Sequence, residues 1–259
     1  MTFIAKTVKI SSIANLYPDK IWELESICAD KTNIYIDRAN VYKRQEKLWR
    51  HIDIKRLYQF LRSFSSIDHI RLYHGTLQWD QQSENFVHEA KLIWYHLTTK
   101  AVKIMKHSID ISSLHTNTSS DAIIKNFISK GLLRQLNTTC INYLNQELEK
   151  LNHQWIRFIE ERKCNFDVEI WVDMILDYER SSSSDYYKSY VLWSGDSDFT
   201  DIVQKLLQQG KKVYIFSTTQ RVSKELSESG AIIYDIQKIR DFICRTREMT
   251  TQAQWSLLL

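Results

Sequence analysis

YVLWSGDSDFTDIVQKLLQQGKKVYIFS, residues 190–217, runs from an unbroken apolar stretch through two aspartates one residue apart to a second apolar stretch. Between them Ile202, Val203, Leu206 and Leu207 share one helical face, and Gly210 stands where that helix must stop. Short apolar runs without alternation mark strands buried on both faces, and two such strands joined by a helix make one unit of a parallel sheet. Asp196 then ends the first strand and Asp198 begins the helix.

Working outward, NIYI (33–36) reads as a strand that ends at Asp37. In HIDIKRLYQFLRSF (51–64) residues Ile54, Leu57, Tyr58, Leu61 and Phe64 keep helical spacing behind Asp53 as N-cap, and HIRLYHG (69–75) reads as the next strand. TQRVSKELSESG (219–230) reads as a helix and AIIYDI (231–236) as a last extended segment. The fold class is therefore α/β, a parallel sheet flanked by helices.

The middle breaks the pattern. SENFVHEAKLIWYHL (83–97) reads as an amphipathic helix and TTKAVKIMK (98–106) as a strand. Residues 107–120 read as loop, and 120–136 and 138–151 as two helices of an inserted arm. HQWIRFIEER (153–162) is extended and is expected to pair with 98–106 as the other stalk of that arm.

The chain has 259 residues, 43% of them hydrophobic, enough for one α/β domain with an insertion. A formal charge of +4 permits a polyanionic partner without requiring one. Cys28, Cys140, Cys164 and Cys244 have no zinc-site spacing and read as reduced thiols. With no signal-peptide or membrane-span stretch, the expected location is the cytoplasm.

Ligands of open α/β sheets bind beyond the carboxyl ends of the strands, where Asp37 and Asp196 fall. One aspartate is explained as a helix cap; three in such places are not. A fourth acid comes from KCNFDVEIWVDMILDY (163–178). At about 100° per residue, Asp167 falls inside an apolar arc while Glu169, Asp173 and Asp177 fall outside it, as a solvated stripe. Converging carboxylates repel by about 1–4 kcal/mol per close pair. A divalent cation removes that cost, and all-oxygen donors suit Mg²⁺ or Mn²⁺ rather than zinc. Such ions serve phosphodiester hydrolysis. His88 and His96, eight apart, lack a third ligand, and Cys164 lacks a histidine partner, so neither is assigned chemistry.

IYIDRANVY (34–42), KCNFDVEIWVDMIL (163–176) and the opening stretch resemble, in this order, the three signature blocks of NYN domains, the LabA-like branch of the PIN-like nuclease superfamily. TTKAVK (98–103) resembles the segment before the second block. The resemblance covers residues 31–106 and 155–243 as the catalytic domain, leaving 1–30 as an N-terminal extension, 107–154 as a helical insertion and 244–259 as a tail. It implies a PIN-like parallel sheet and an Mg²⁺- or Mn²⁺-dependent ribonuclease site. The matching positions are Asp37, Asp167, Asp196 and Asp198 as metal ligands, with Asn40 orienting Asp37 or a water. Asp173 matches a position often acidic in the family and ranks below these four.

Arg38 stands where the family usually has glycine, and it either contacts the scissile phosphate or obstructs it. Arg38, Arg44 and Lys163 are the first candidates for substrate contact. Lys43, Lys100, Lys103, Lys106 and Arg162 extend the same basic track, and Tyr42 and Trp193 offer rings to bases, although rings near strand ends are more often core. Expected partners are RNA and, through the insertion, a second copy or another protein. A catalytically inactive RNA-binding NYN module is the alternative reading. GDSDF also resembles an acidic motif of haloacid-dehalogenase-like phosphatases, but their second aspartate after the first strand is Ala39 here.

Overall fold

The computed structural model describes residues 2–41, 48–77, 79–108, 136–153, 158–180, 187–218 and 221–248. In chain order the strands are β1 (Thr32–Asp37), β2 (Arg50–Ile52), β3 (Ile67–Thr76), β4 (His96–Ala101), β5 (Lys103–Ser108), β6 (Phe158–Lys163), β7 (Ser189–Trp193), β8 (Lys212–Ser217), β9 (Ile232–Asp235) and β10 (Cys244–Glu248). The α-helices are α1 (Val8–Leu16), α2 (Pro18–Ile27), α3 (Ile54–Leu61), α4 (Gln81–Leu92), α5 (Thr138–His153), α6 (Asp167–Arg180), α7 (Thr200–Gln208), α8 (Lys224–Ser227) and α9 (Arg240–Ile243).

Six strands form one parallel sheet in the order β4-β3-β1-β7-β8-β9. Alternation along each strand feeds two cores. Ile34, Ile36, Leu72, Val191 and Trp193 join α1, α2, α3 and α9 on one face, while Tyr35, Tyr73, Leu192 and Ile215 join α6, α7 and α8 on the other. Both faces being covered is why the strands read as continuous apolar runs. The expected caps form: the Asp53 side chain accepts from the Lys55 and Arg56 amides, and Gly210 ends α7 at φ 72°.

Contacts divide the chain into two compact units, Met1–Ala101 with Cys164–Leu259, and Val102–Lys163. Within the second, β5 and β6 pair antiparallel from Lys103↔Lys163 to Ser108↔Phe158, so the expected pairing of these segments forms. The expected single strand over 98–106 does not. It is two strands, β4 in the large sheet and β5 in the small one, separated at Val102.

Other expectations need correction. The helix expected over 83–97 stops at Leu92, because the chain turns at Trp94 (φ 76°), whose N–H donates to the Lys91 carbonyl, before β4 begins. The helix expected over 219–230 is the short α8, capped by Ser223. Within residues 1–30, Ile10, Ile21, Leu24 and Ile27 of α1 and α2 lie in the first core. Cys244–Glu248, assigned to a tail, pairs antiparallel with β2. The helix expected over 120–136 lies outside the described residues apart from Leu136.

Candidate functional site

β1 and β7 are neighbours in parallel register, with Ile36 opposite Trp193, so Asp37 and the Ser194–Asp196 turn leave the sheet side by side at its carboxyl edge. Asp37 is buried; its Oδ1 accepts from the Ala39 N–H at 2.9 Å and its Oδ2 from the Asn40 side-chain amide. Asn40 thus contacts the carboxylate that the sequence reading paired it with. Asp196 is exposed and caps the 3-10 turn Ser197–Phe199, accepting weakly from the Asp198 N–H at 3.5 Å. The turn is clamped from the β8–α8 connection by the Ser223 N–H on the Gly195 carbonyl, at 2.9 Å.

The third segment is α6. Its first N–H, of Asp167, donates to Asn165 Oδ1 at 2.7 Å, and the Trp171 indole N–H donates to the Asp198 carbonyl at 3.3 Å, tying this helix to the Asp198 turn. Burial, then the negative charges of Asp196, Asp198 and Asp37, push the Asp167 carboxyl up to about 6, against a lowering hydrogen bond from Asn165. The charges of the other three expected acids thus bear on Asp167. Among the described residues, however, no group of three or more His, Cys, Asp or Glu side chains is arranged to close round a single ion.

The solvated stripe expected on α6 is instead its attachment to the sheet. Asp177 is fully buried and accepts from Asn33 Nδ2 at 2.7 Å, Tyr35 Oη at 2.6 Å and Arg71 Nη2 at 2.9 Å. Asp173 accepts from Tyr73 Oη at 2.6 Å and lies 3.6 Å from Arg71. Glu169 pairs with Lys100 at 2.6 Å. The wheel misled because the buried face is narrower and turned: Val168, Val172 and Leu176 are exposed, while Asp177, at about 280°, is within about 20° of the buried Ile170. These acids hold the helix whose first residue is Asp167.

The substrate candidates fare unevenly. Arg38 lies over the Phe86 ring, 3.8 Å from its centroid, with Nη1 3.0 Å from His74 Nδ1, so its guanidinium is packed sideways against β3 and α4. Lys100 is engaged with Glu169 and the Asn165 carbonyl. Lys103 is exposed. Tyr42, Lys43 and Arg44, and the side chains of Lys106, Arg162 and Lys163, lie outside the described residues. Trp193 is fully buried against Phe216 and offers no face to a base. His96 sits 3.1 Å from His69 across β3 and β4, and Cys164 Sγ lies 3.7 Å from the Lys100 carbonyl, a packed thiol. Sequence reading missed Arg71, Asn33 and Tyr35.

Burial, then the Arg38 charge, pull His74 down to about 3, so the folded protein keeps it neutral. The unfolded chain protonates it near 6.5, so this contribution to stability is whole above pH 6.5 and is lost as pH falls toward 3. Between pH 7 and pH 5 the loss is about 2 kcal/mol. Urea unfolding should show that slope in the wild type and a shallower one in His74→Gln.

The model of the NYN domain matches residues 108–237, which hold Asp167, Asp196 and Asp198 but neither Asp37 nor Asn40. It also takes in most of the segment read as an insertion. The low amplitude and bright protein LabA of Synechococcus elongatus is 31% identical over 85 residues, 33% of this chain. That match spans 42% of LabA's own length, less than half. A solved protein of unknown function from Vibrio parahaemolyticus aligns over 80% of this chain and 95% of its own at 15% identity and a TM-score of 0.45, too slight a likeness to bear on function. With half of its length under the family model and a parallel sheet carrying the acidic blocks at its carboxyl edge, the chain belongs to the NYN domain family, within the PIN-like nuclease superfamily.

Proposed function

We propose that this protein hydrolyses RNA phosphodiester bonds, as an endoribonuclease, with Mg²⁺ or Mn²⁺ held by Asp37, Asp167, Asp196 and Asp198. The supporting observation is the meeting of three chain segments: β1 ends in Asp37 beside the Ser194–Asp196 turn that follows β7, and Trp171 binds the Asp167 helix to the Asp198 turn. The donor set fits a hard cation. Mg²⁺ keeps several waters and uses one or two carboxylates, so it does not need three side chains already closed round it. When bound, the ion supplies charge to the attacked phosphate and acidity to a coordinated water.

The chain's own residues prepare that place. Ala39 and Asn40 fix the Asp37 carboxylate, Asp196 and Asp198 present oxygens to solvent, and the Asp173 and Asp177 contacts set where α6 begins. Burial first, and then the like charges of Asp196, Asp198 and Asp37, raise the proton affinity of Asp167, and a bound cation would offset both. RNA rather than DNA follows family analogy. We place residues 31–106 and 155–243 in the catalytic domain and assign 107–154 to choice of RNA or to a protein partner.

The inactive-module reading rested on Arg38 obstructing the site, and a guanidinium stacked on Phe86 does not favour it. Four cysteines without a disulfide suit the cytoplasm. No helix among the described residues is long and apolar enough to cross a membrane. Calorimetric titration with Mn²⁺ tests the metal site: saturable binding to the wild type that weakens tenfold or more in Asp167→Asn supports it. Equal binding by both proteins contradicts it.

A further inference from the structure

Trp79 is 95% exposed and adopts φ 63°, a left-handed conformation that costs a bulky residue free energy. It stands just before Asp80, the N-cap of α4. An apolar residue there ordinarily packs against the fourth residue of the helix, but that residue is Glu84. Burial of the indole therefore does not account for the strained backbone that displays it.

Beside this loop lies an open cleft of about 270 Å³ between the end of β3 and α4, lined by Thr76, Leu77, Val87 and His88 together with Glu84 and Lys91. Its apolar lining, with one acid and one base whose charges cancel, suits an uncharged planar group with hydrogen-bonding edges better than a phosphate. Thr76 is three residues beyond Tyr73, which lies opposite Asp37 in the adjacent strand. The cleft is thus roughly 10 Å along the strand and about 5 Å across from Asp37, at the same carboxyl edge.

We propose that Trp79 and this cleft form a nucleobase subsite for single-stranded RNA, stacking a base a few nucleotides from the bond placed at the aspartates. This rests on the ribonuclease reading for the identity of the ligand. Stacking on an aromatic ring is sequence-tolerant, because every base has a π face, so Trp79 grips while Glu84 and Lys91 read base edges.

Binding separates this inference from the chemistry. Fluorescence anisotropy of a labelled single-stranded RNA 12-mer is measured in EDTA, where no metal-dependent cleavage occurs. Trp79→Ala is expected to raise Kd about tenfold or more, Trp79→Phe to stay within about threefold of wild type, and Val87→Phe, which fills the cleft, to weaken binding as well. In Mn²⁺ the same Trp79→Ala loss is expected in KM rather than kcat. Wild-type affinity in Trp79→Ala overturns the subsite even if the protein cuts RNA. Weakened binding with no cleavage by any form upholds the subsite and removes the nuclease reading. Failure of the wild type to bind the RNA removes both.

Discussion

Asp196→Asn is expected to abolish Mn²⁺-dependent cleavage of single-stranded RNA while leaving the fold intact. A metal-centred charge is worth several kcal/mol to a phosphoryl transition state, and every 1.4 kcal/mol is tenfold in rate. Loss of a ligand carboxylate therefore predicts a fall of about a thousandfold. Asp196 is exposed and only caps a three-residue turn weakly, and asparagine caps as well as aspartate, so thermal unfolding should shift little. The measurement is single-turnover cleavage beside a melting curve. Undiminished cleavage by this variant removes Asp196 from the site.

Arg71→Met carries the largest expected effect on stability. Arg71 makes two bonds to Asp177, at 2.9 and 3.1 Å, in a place where Asp177 has no exposed surface. Methionine fills much of the arginine stem's volume but leaves a buried carboxylate without its main counter-charge, which costs about 3–5 kcal/mol. The urea midpoint should fall accordingly. Replacing both partners, as Arg71→Met with Asp177→Leu, should recover part of the loss, because the fully buried Asp177 charge goes with its partner, while Asn33 and Tyr35 losing their acceptor keeps the recovery incomplete. A single variant as stable as wild type would show that the network holds nothing.

The sheet was legible because strands buried on both faces leave unbroken apolar runs, and 190–217 shows two of them with the connecting helix between. Asp37, Asp196 and Asp198 were picked out for a related reason: carboxylates within a few residues of the end of such a run stand at the sheet's carboxyl edge, where the structure places Asp37 and the Ser194–Asp196 turn. The error on α6 has a physical cause. Helical periodicity ranks faces by hydrophobicity, and Asp177 is buried by pairing, which periodicity does not see. The signal lay elsewhere, in Arg71 and Asn33, polar side chains in strands that are covered on both sides and so need a buried partner. The split of 98–106 between two sheets was illegible because β-branched and basic residues continue through Val102 without a turn residue. The exposure of Trp79 ran against composition, since a tryptophan in a sequence reads first as core.

The most direct test of the central claim is digestion of end-labelled RNA and DNA of one sequence, with and without Mn²⁺, by the wild-type protein. The account predicts RNA cut within the chain only when Mn²⁺ is present, with DNA cut far more slowly. RNA left whole in Mn²⁺, or cut equally well in EDTA, would contradict it.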